Sequence, residues 1–232
     1  VSESACTGAA VGAALAGMKP IVVHPRMDFM LYAMDSIVNQ AAKWSHMIGG
    51  QASAGLTVRA IINRGGEQGA QHSQALQSWF AHVPGLRVLM PSSVKDARDM
   101  LIAAGLSKDP VMYIDDRWLY EQEDVLPEAT DVAIEDFKPE CIVEGTDITI
   151  VGSSYTTLLA KQAAKALAEK GVNAEVIDLK VISPFESTEI VKSVEKTGHL
   201  LVVDGGWATC GVSSEVLARV SMEVDPSSIK SK

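Results

Sequence analysis

The chain has 232 residues, 47% hydrophobic and 21% charged, a globular balance long enough for one large or two modest domains. Its formal charge of -9 and pI near 5.0 exclude the basic footprint by which nucleic-acid binders displace counterions from phosphates. No apolar run approaches the roughly 20 residues that span a bilayer. The three scattered cysteines, Cys6, Cys141 and Cys210, suit neither a disulfide framework nor a zinc site and point to a reducing compartment, in the first place the cytoplasm.

The first eight residues carry a single acid, Glu3, where an extended segment meets a helix of small residues (Gly8, Ala9, Ala10, Gly12, Ala13, Ala14, Ala16, Gly17). An acid in a first helical turn serves the macrodipole, worth roughly 0.3–1 kcal/mol. Small residues also let a backbone or a flat ligand come close, so a functional acid is the second reading. After the break at Met18-Lys19-Pro20, Ile21-Val22-Val23 reads as a buried strand. A helix over 29–48 follows from the spacing of Leu31, Met34, Ile37, Val38, Ala41 and Ala42, and Gly49-Gly50 closes it. A strand over 57–62 leads into the glycine-rich loop 63–70, and His72 is expected to open a helix running to 81. The strand 86–90, a helix over 94–106 capped by Ser92 or Ser93, and the strand 110–114 complete a first unit.

Residues 121–140 are acidic and aperiodic, as an interdomain linker would be. Beyond them strands over 148–151, 173–178 and 200–203 alternate with helices over 156–169 and 187–196, and a last helix covers 211–222. Such alternation predicts right-handed crossovers and mainly parallel sheets. The expected architecture is α/β: two three-layer α/β/α domains, residues 1–120 and 141–232.

Four histidines, His24, His46, His82 and His199, lie singly beside apolar runs and read as structural. His72 follows the glycine-rich loop and is flanked by Gln71, Ser73 and Gln74. There an imidazole could handle charge near neutral pH, or simply belong to a helix-capping polar cluster. No His-Glu-x-x-His, Gly-x-Ser-x-Gly, Rossmann or Walker motif is present. A chain of two parallel α/β units with an acid at a helix start, but without a phosphate loop, reads as half of an active site.

Several ordered segments are together specific: Ser2-Glu3 with Gly8 and the Val11–Ala14 run, then Gly17 with Pro20-Ile21, and 33–43 (AMDSIVNQAAK). They continue through Gln71-His72-Ser73-Gln74, 82–86 (HVPGL), Pro91, Asp109-Pro110 and Gly205-Gly206-Trp207. In this order they resemble the β subunit of thiamine-diphosphate-dependent 2-oxo acid dehydrogenases, over nearly the whole chain. The resemblance implies a transketolase-like pyrimidine-binding domain followed by a transketolase C-terminal domain. It implies that Glu3 hydrogen-bonds a ring nitrogen of the cofactor's aminopyrimidine and so promotes its activation, with Phe29 and Val1 against the same ring. His72 matches an active-site histidine near the substrate and lipoyl arm.

The resemblance further implies a 2-oxo acid substrate, acyl transfer to lipoamide, and an α subunit in a two-α two-β assembly. That α subunit would hold magnesium and the diphosphate, since this chain has no Gly-Asp-Gly…Asn motif. A dihydrolipoyl acyltransferase core would be a further partner. A structural potassium ion is implied through the main-chain oxygens of Leu56, Ala104, Gly105, Ser107 and Asp109. The compartment would be the cytoplasm, or the mitochondrial matrix in a eukaryote. Neither nucleic acid nor membrane is an expected partner. Val23, His24-Pro25-Arg26 and the loop 64–69 depart from the family pattern, which leaves the identity of the 2-oxo acid open. Family elements before Glu3 and after Met222 are missing from this sequence, so it reads as incompletely recorded. Alternatives are half of a split transketolase or deoxyxylulose-phosphate synthase, and a non-catalytic assembly module.

Overall fold

A computed structural model describes residues 2–63 and 68–231. The small-residue segment forms α1 (Glu3–Leu15), with Ser2 as N-cap accepting the Ala5 N–H and Glu3 in the first turn. It turns into the strand β1 (Ile21–His24). The expected helix over 29–48 forms only in pieces: α2 (Met27–Met30), tight and wide turns through Ala41, and α3 (Trp44–Met47). In the wide turn Ala42 N–H reaches Ile37 carbonyl, five residues back, at 3.0 Å. Tertiary packing accounts for the break in regularity. The turn at Pro84-Gly85 presses onto this peptide so closely that a Cβ on Gly85 (φ +97°) would lie 2.0 Å from the Ala42 carbonyl oxygen.

Next come β2 (Thr57–Ile62), α4 (Gln77–Ala81), β3 (Arg87–Leu89), α5 (Val94–Leu106) and β4 (Val111–Asp116). Ser93 is the residue that caps α5, accepting the Asp96 N–H at 3.1 Å. The expected linker is irregular except for one tight turn at Ile134–Asp136, whose Ile134 is buried beside Leu89, Met100, Tyr113 and Val181. The remainder comprises β5 (Glu140–Val143), β6 (Ile148–Gly152), α6 (Tyr155–Ala168), β7 (Ala174–Asp178), β8 (Val181–Ser183), α7 (Thr188–Thr197), β9 (Leu200–Val202) and α8 (Val212–Glu223). The sequence reading contains neither β5 nor β8.

Two sheets result, ordered β1-β2-β4-β3-β8 and β5-β7-β6-β9. All pairings are parallel except β3–β8 and β5–β7, so the molecule is two α/β domains with mainly parallel sheets. Parallel sheets are covered on both faces, and β4 and β7 are accordingly buried along their whole lengths. β8 belongs to the C-terminal half of the chain yet pairs with β3, so the two halves interlock through backbone hydrogen bonds.

Candidate active site

In an open parallel sheet, loops that leave the carboxyl ends of adjacent strands line a crevice suited to ligands. Here β1 and β2 are parallel neighbours, and their exits carry two of the residues singled out in the sequence. Phe29 lies on α2, directly after β1, and His72 lies in the segment that follows β2. Their rings meet edge to face, with centroids 5.1 Å apart and planes at 86°. α1 runs back along the sheet so that its first turns reach the same end of β1. Thr7 on α1 is 3.2 Å from Nε2 of His24, the last residue of β1. Burial pushes the His24 imidazole below its ordinary value, and the nearby Glu3 carboxylate partly offsets that fall. Glu3, Phe29 and His72 thus gather around the exit of β1. Val1 lies outside the described residues, as does the 64–67 part of the glycine-rich loop.

His72 does not open a helix, contrary to expectation. It sits in a turn, its N–H bonded to the Gly69 carbonyl at 3.2 Å, and α4 begins only at Gln77. The free N–H groups of a helix start therefore do not act at His72. What holds this segment is Asp28, whose Oδ1 accepts from the Gln74 amide side chain at 2.7 Å and from the Gln74 backbone at 3.3 Å. Asp28 carries a function that the sequence reading missed. An acid opening a short helix reads as a macrodipole charge, and its partner lies 46 residues away.

Several polar atoms at this end are buried without a partner among the described residues: Asp28 Oδ2, Ser73 Oγ and Gln77 Oε1. Glu3 is half-buried and makes no hydrogen bond or ion pair among the described residues. Gln77 Nε2 donates to Asp204 at 2.8 Å, which joins α4 to the Gly205-Gly206-Trp207 turn of the second domain. The turn lies close against that amide: a Cβ on Gly206 would be 2.9 Å from the same Nε2.

The five expected potassium ligands lie around the start of β2, the end of α5 and the loop between α5 and β4. Leu56 carbonyl accepts the Val111 N–H at 2.9 Å, and Ala104 carbonyl the Ser107 N–H at 3.2 Å. Asp109 carbonyl accepts the Ser107 hydroxyl at 3.0 Å. The Ser107 carbonyl is bonded by the Lys19 ammonium. A positive side chain on one of the five oxygens does not fit a second cation in the same cluster.

Residues 1–122 match the model of the transketolase pyrimidine binding domain, and residues 138–226 that of the transketolase C-terminal domain. The chain belongs to the family built from these two domains. Within it, the β subunit of acetoin:2,6-dichlorophenolindophenol oxidoreductase from Cupriavidus necator is 39% identical over 96% of this chain and 66% of its own length. The mitochondrial pyruvate dehydrogenase E1 component subunit beta of Drosophila melanogaster is 38% identical, over 95% of this chain and 61% of its own length. The corresponding subunit of Rhizobium meliloti is 34% identical over 96% of this chain. This chain therefore spans less than two thirds of these relatives. Among solved structures, a split-gene transketolase in an inactive β4 tetramer superposes with a TM-score of 0.78 at 23% identity, over 97% of this chain and 70% of that one, a likeness of fold. No helix among the described residues is long and apolar enough to cross a membrane.

Proposed function

We propose that this chain is the β subunit of a lipoamide-acylating 2-oxo acid dehydrogenase, sharing thiamine diphosphate with an α subunit in a two-α two-β assembly. The observation that carries this reading is Glu3, a half-buried carboxylate with no hydrogen bond or ion pair among the described residues, set near His24 at the strand exit where Phe29 and His72 meet. Such a site fits a flat heteroaromatic group: among the described residues no donor reaches the Glu3 carboxylate or the buried Ser73 hydroxyl, and Phe29 is half-buried. When bound, the cofactor supplies the carbon nucleophile and electron sink for decarboxylation.

Glu3 would hold the cofactor's pyrimidine by accepting a hydrogen bond from a protonated ring nitrogen, and so would keep that proton in place. Phe29 would pack against that ring. His72, held beside Phe29 through the Asp28–Gln74 tie, moves a proton at the substrate oxygen during acyl transfer. Magnesium and the diphosphate belong to the α subunit, and the C-terminal domain serves the acyltransferase core. A second reading replaces the 2-oxo acid with acetoin, on the strength of the Cupriavidus relative.

The test reconstitutes the chain with an α subunit and compares pyruvate, branched-chain 2-oxo acids and acetoin. Glu3→Gln is expected to keep cofactor binding while lowering turnover by roughly 10²–10⁴-fold. Undiminished turnover in that variant would remove Glu3 from the chemistry. Ketol transfer between sugars as the sole product would replace the dehydrogenase reading with a split transketolase.

A further inference from the structure

The carbonyl cluster at the end of α5 raises a separate question, independent of the catalytic reading. α5 ends at Leu106 with no basic residue in its last turn, so its unpaired carbonyls and the negative end of its dipole call for a cation from elsewhere. Lys19 supplies one. It stands in the turn between α1 and β1, 88 residues away in sequence, and its ammonium donates to the carbonyl of Ser107, the C-terminal cap residue of α5.

The approach depends on the residue at position 55. A Cβ on Gly55 would lie 2.9 Å from Lys19 Nζ, 2.8 Å from the Ser107 carbonyl oxygen and 2.9 Å from that of Lys108. Those distances are closer than real side-chain carbons come. Only glycine leaves room for the ammonium and the two carbonyls to converge. Ser107 and Asp109 are also two of the residues whose main-chain oxygens the family resemblance assigns to potassium.

We propose that Lys19 is a built-in cation that replaces the structural monovalent ion of this fold, so that this chain holds the α5–β4 corner without potassium. The residue as a whole is solvent-exposed, and the proposal concerns the placement of its charged end. A covalently tethered ammonium is present at every ionic composition, whereas a bound ion would tie stability to its concentration.

The experiment measures thermal unfolding of the chain and of Lys19→Met in potassium chloride and in choline chloride at equal ionic strength. The unsubstituted chain is expected to melt at the same temperature in both salts. Lys19→Met is expected to melt lower in choline by roughly 2–4 °C, the shift usual for losing one favourable contact at this chain length, and to recover in potassium. Lys19→Arg, which keeps the charge, should remain indifferent to potassium. A melting temperature of the unsubstituted chain that rises specifically with potassium would overturn the proposal. So would a Lys19→Met chain that melts like the original in choline, one that potassium fails to rescue, or a Lys19→Arg chain as potassium-dependent as the methionine variant.

Discussion

Asp178 and Asp28 are both buried carboxylates, but their surroundings treat them differently. Asp178 ends β7 at the junction of the two domains. One of its oxygens takes the Ser92 hydroxyl, and the other takes the Thr157 hydroxyl at 2.8 Å. Lys180 nearby reaches Asp96 at 3.1 Å and also bonds Glu140. Each of these groups has a partner, and the partners come from both domains. Asp28, at the exit of β1, has one oxygen bonded by Gln74 and the other with no partner among the described residues. Ser73 and Gln77 add two more unpaired buried atoms at the same end. Leaving a buried polar atom unmade costs about 1–3 kcal/mol, so a fold tolerates several together only where something else requires them. The contrast lies between the two carboxylates, Asp178 with both oxygens bonded and Asp28 with one open. The junction has open atoms of its own among the described residues, at Gln122 Nε2 and Ser154 Oγ.

The Glu3→Gln substitution tests the crevice side of this contrast and carries the largest expected effect, on turnover. On the junction side, Thr157→Val keeps the side-chain volume but strips one donor from the buried Asp178 carboxylate. A loss of about 1–3 kcal/mol in urea unfolding is expected. An unchanged midpoint would show that the junction is no better satisfied than the crevice.

A third substitution isolates the charge of Asp178. Burial pushes its carboxyl up to about 6 from an ordinary 3.8, against the lowering effect of the Ser92 and Thr157 hydroxyls and of Lys180. Between those values the folded chain holds a proton that the unfolded chain has released. Stability from this group is therefore full below about pH 4 and is lost as pH rises through about 6. Asp178→Asn, which is neutral throughout, should remove a decline on the order of 2 kcal/mol between pH 4 and pH 7. Unfolding free energies measured across that range check it, and an identical slope in the variant would mean that Asp178 does not titrate there. The smallest effect is predicted for Ser73→Ala. Deleting a hydroxyl that has no partner among the described residues should leave stability within about 0.5 kcal/mol or raise it slightly. A large destabilisation would reveal a bond at Ser73 and weaken the distinction between the two regions.

Much of the fold was legible in the chain itself. Apolar runs marked β2, β4, β6 and β7, since a strand buried on both faces has little other way to be written. β1 forms where expected but is not buried, with Ile21 and Val23 about half exposed at the sheet edge. The pair Ser92-Ser93 announced α5, because an N-cap is a local hydrogen bond between near neighbours in sequence, and the structure puts the cap on Ser93. Glu3, Phe29 and His72 became candidate site residues through the ordered family pattern. Local spacing alone left Glu3 a helix-terminus charge and His72 a capping residue.

What the sequence did not disclose depends on distant partners. The three-residue strand β8 exists because β3 offers it an edge, and nothing in Val181–Ser183 states that pairing. The helix expected over 29–48 breaks because a turn 40 residues later packs onto its backbone, overriding a correct apolar period. His72 left the helix assigned to it, because Asp28 and Gly69 hold its segment in a turn. Lys19 read as part of a chain break, and only folding sets its ammonium on the carbonyl of Ser107. Sequence by itself determined the class of fold and the candidate chemistry, since periodicity, caps and motif order are local. Tertiary structure decided which polar groups are satisfied and which remain open, because that depends on partners tens of residues away.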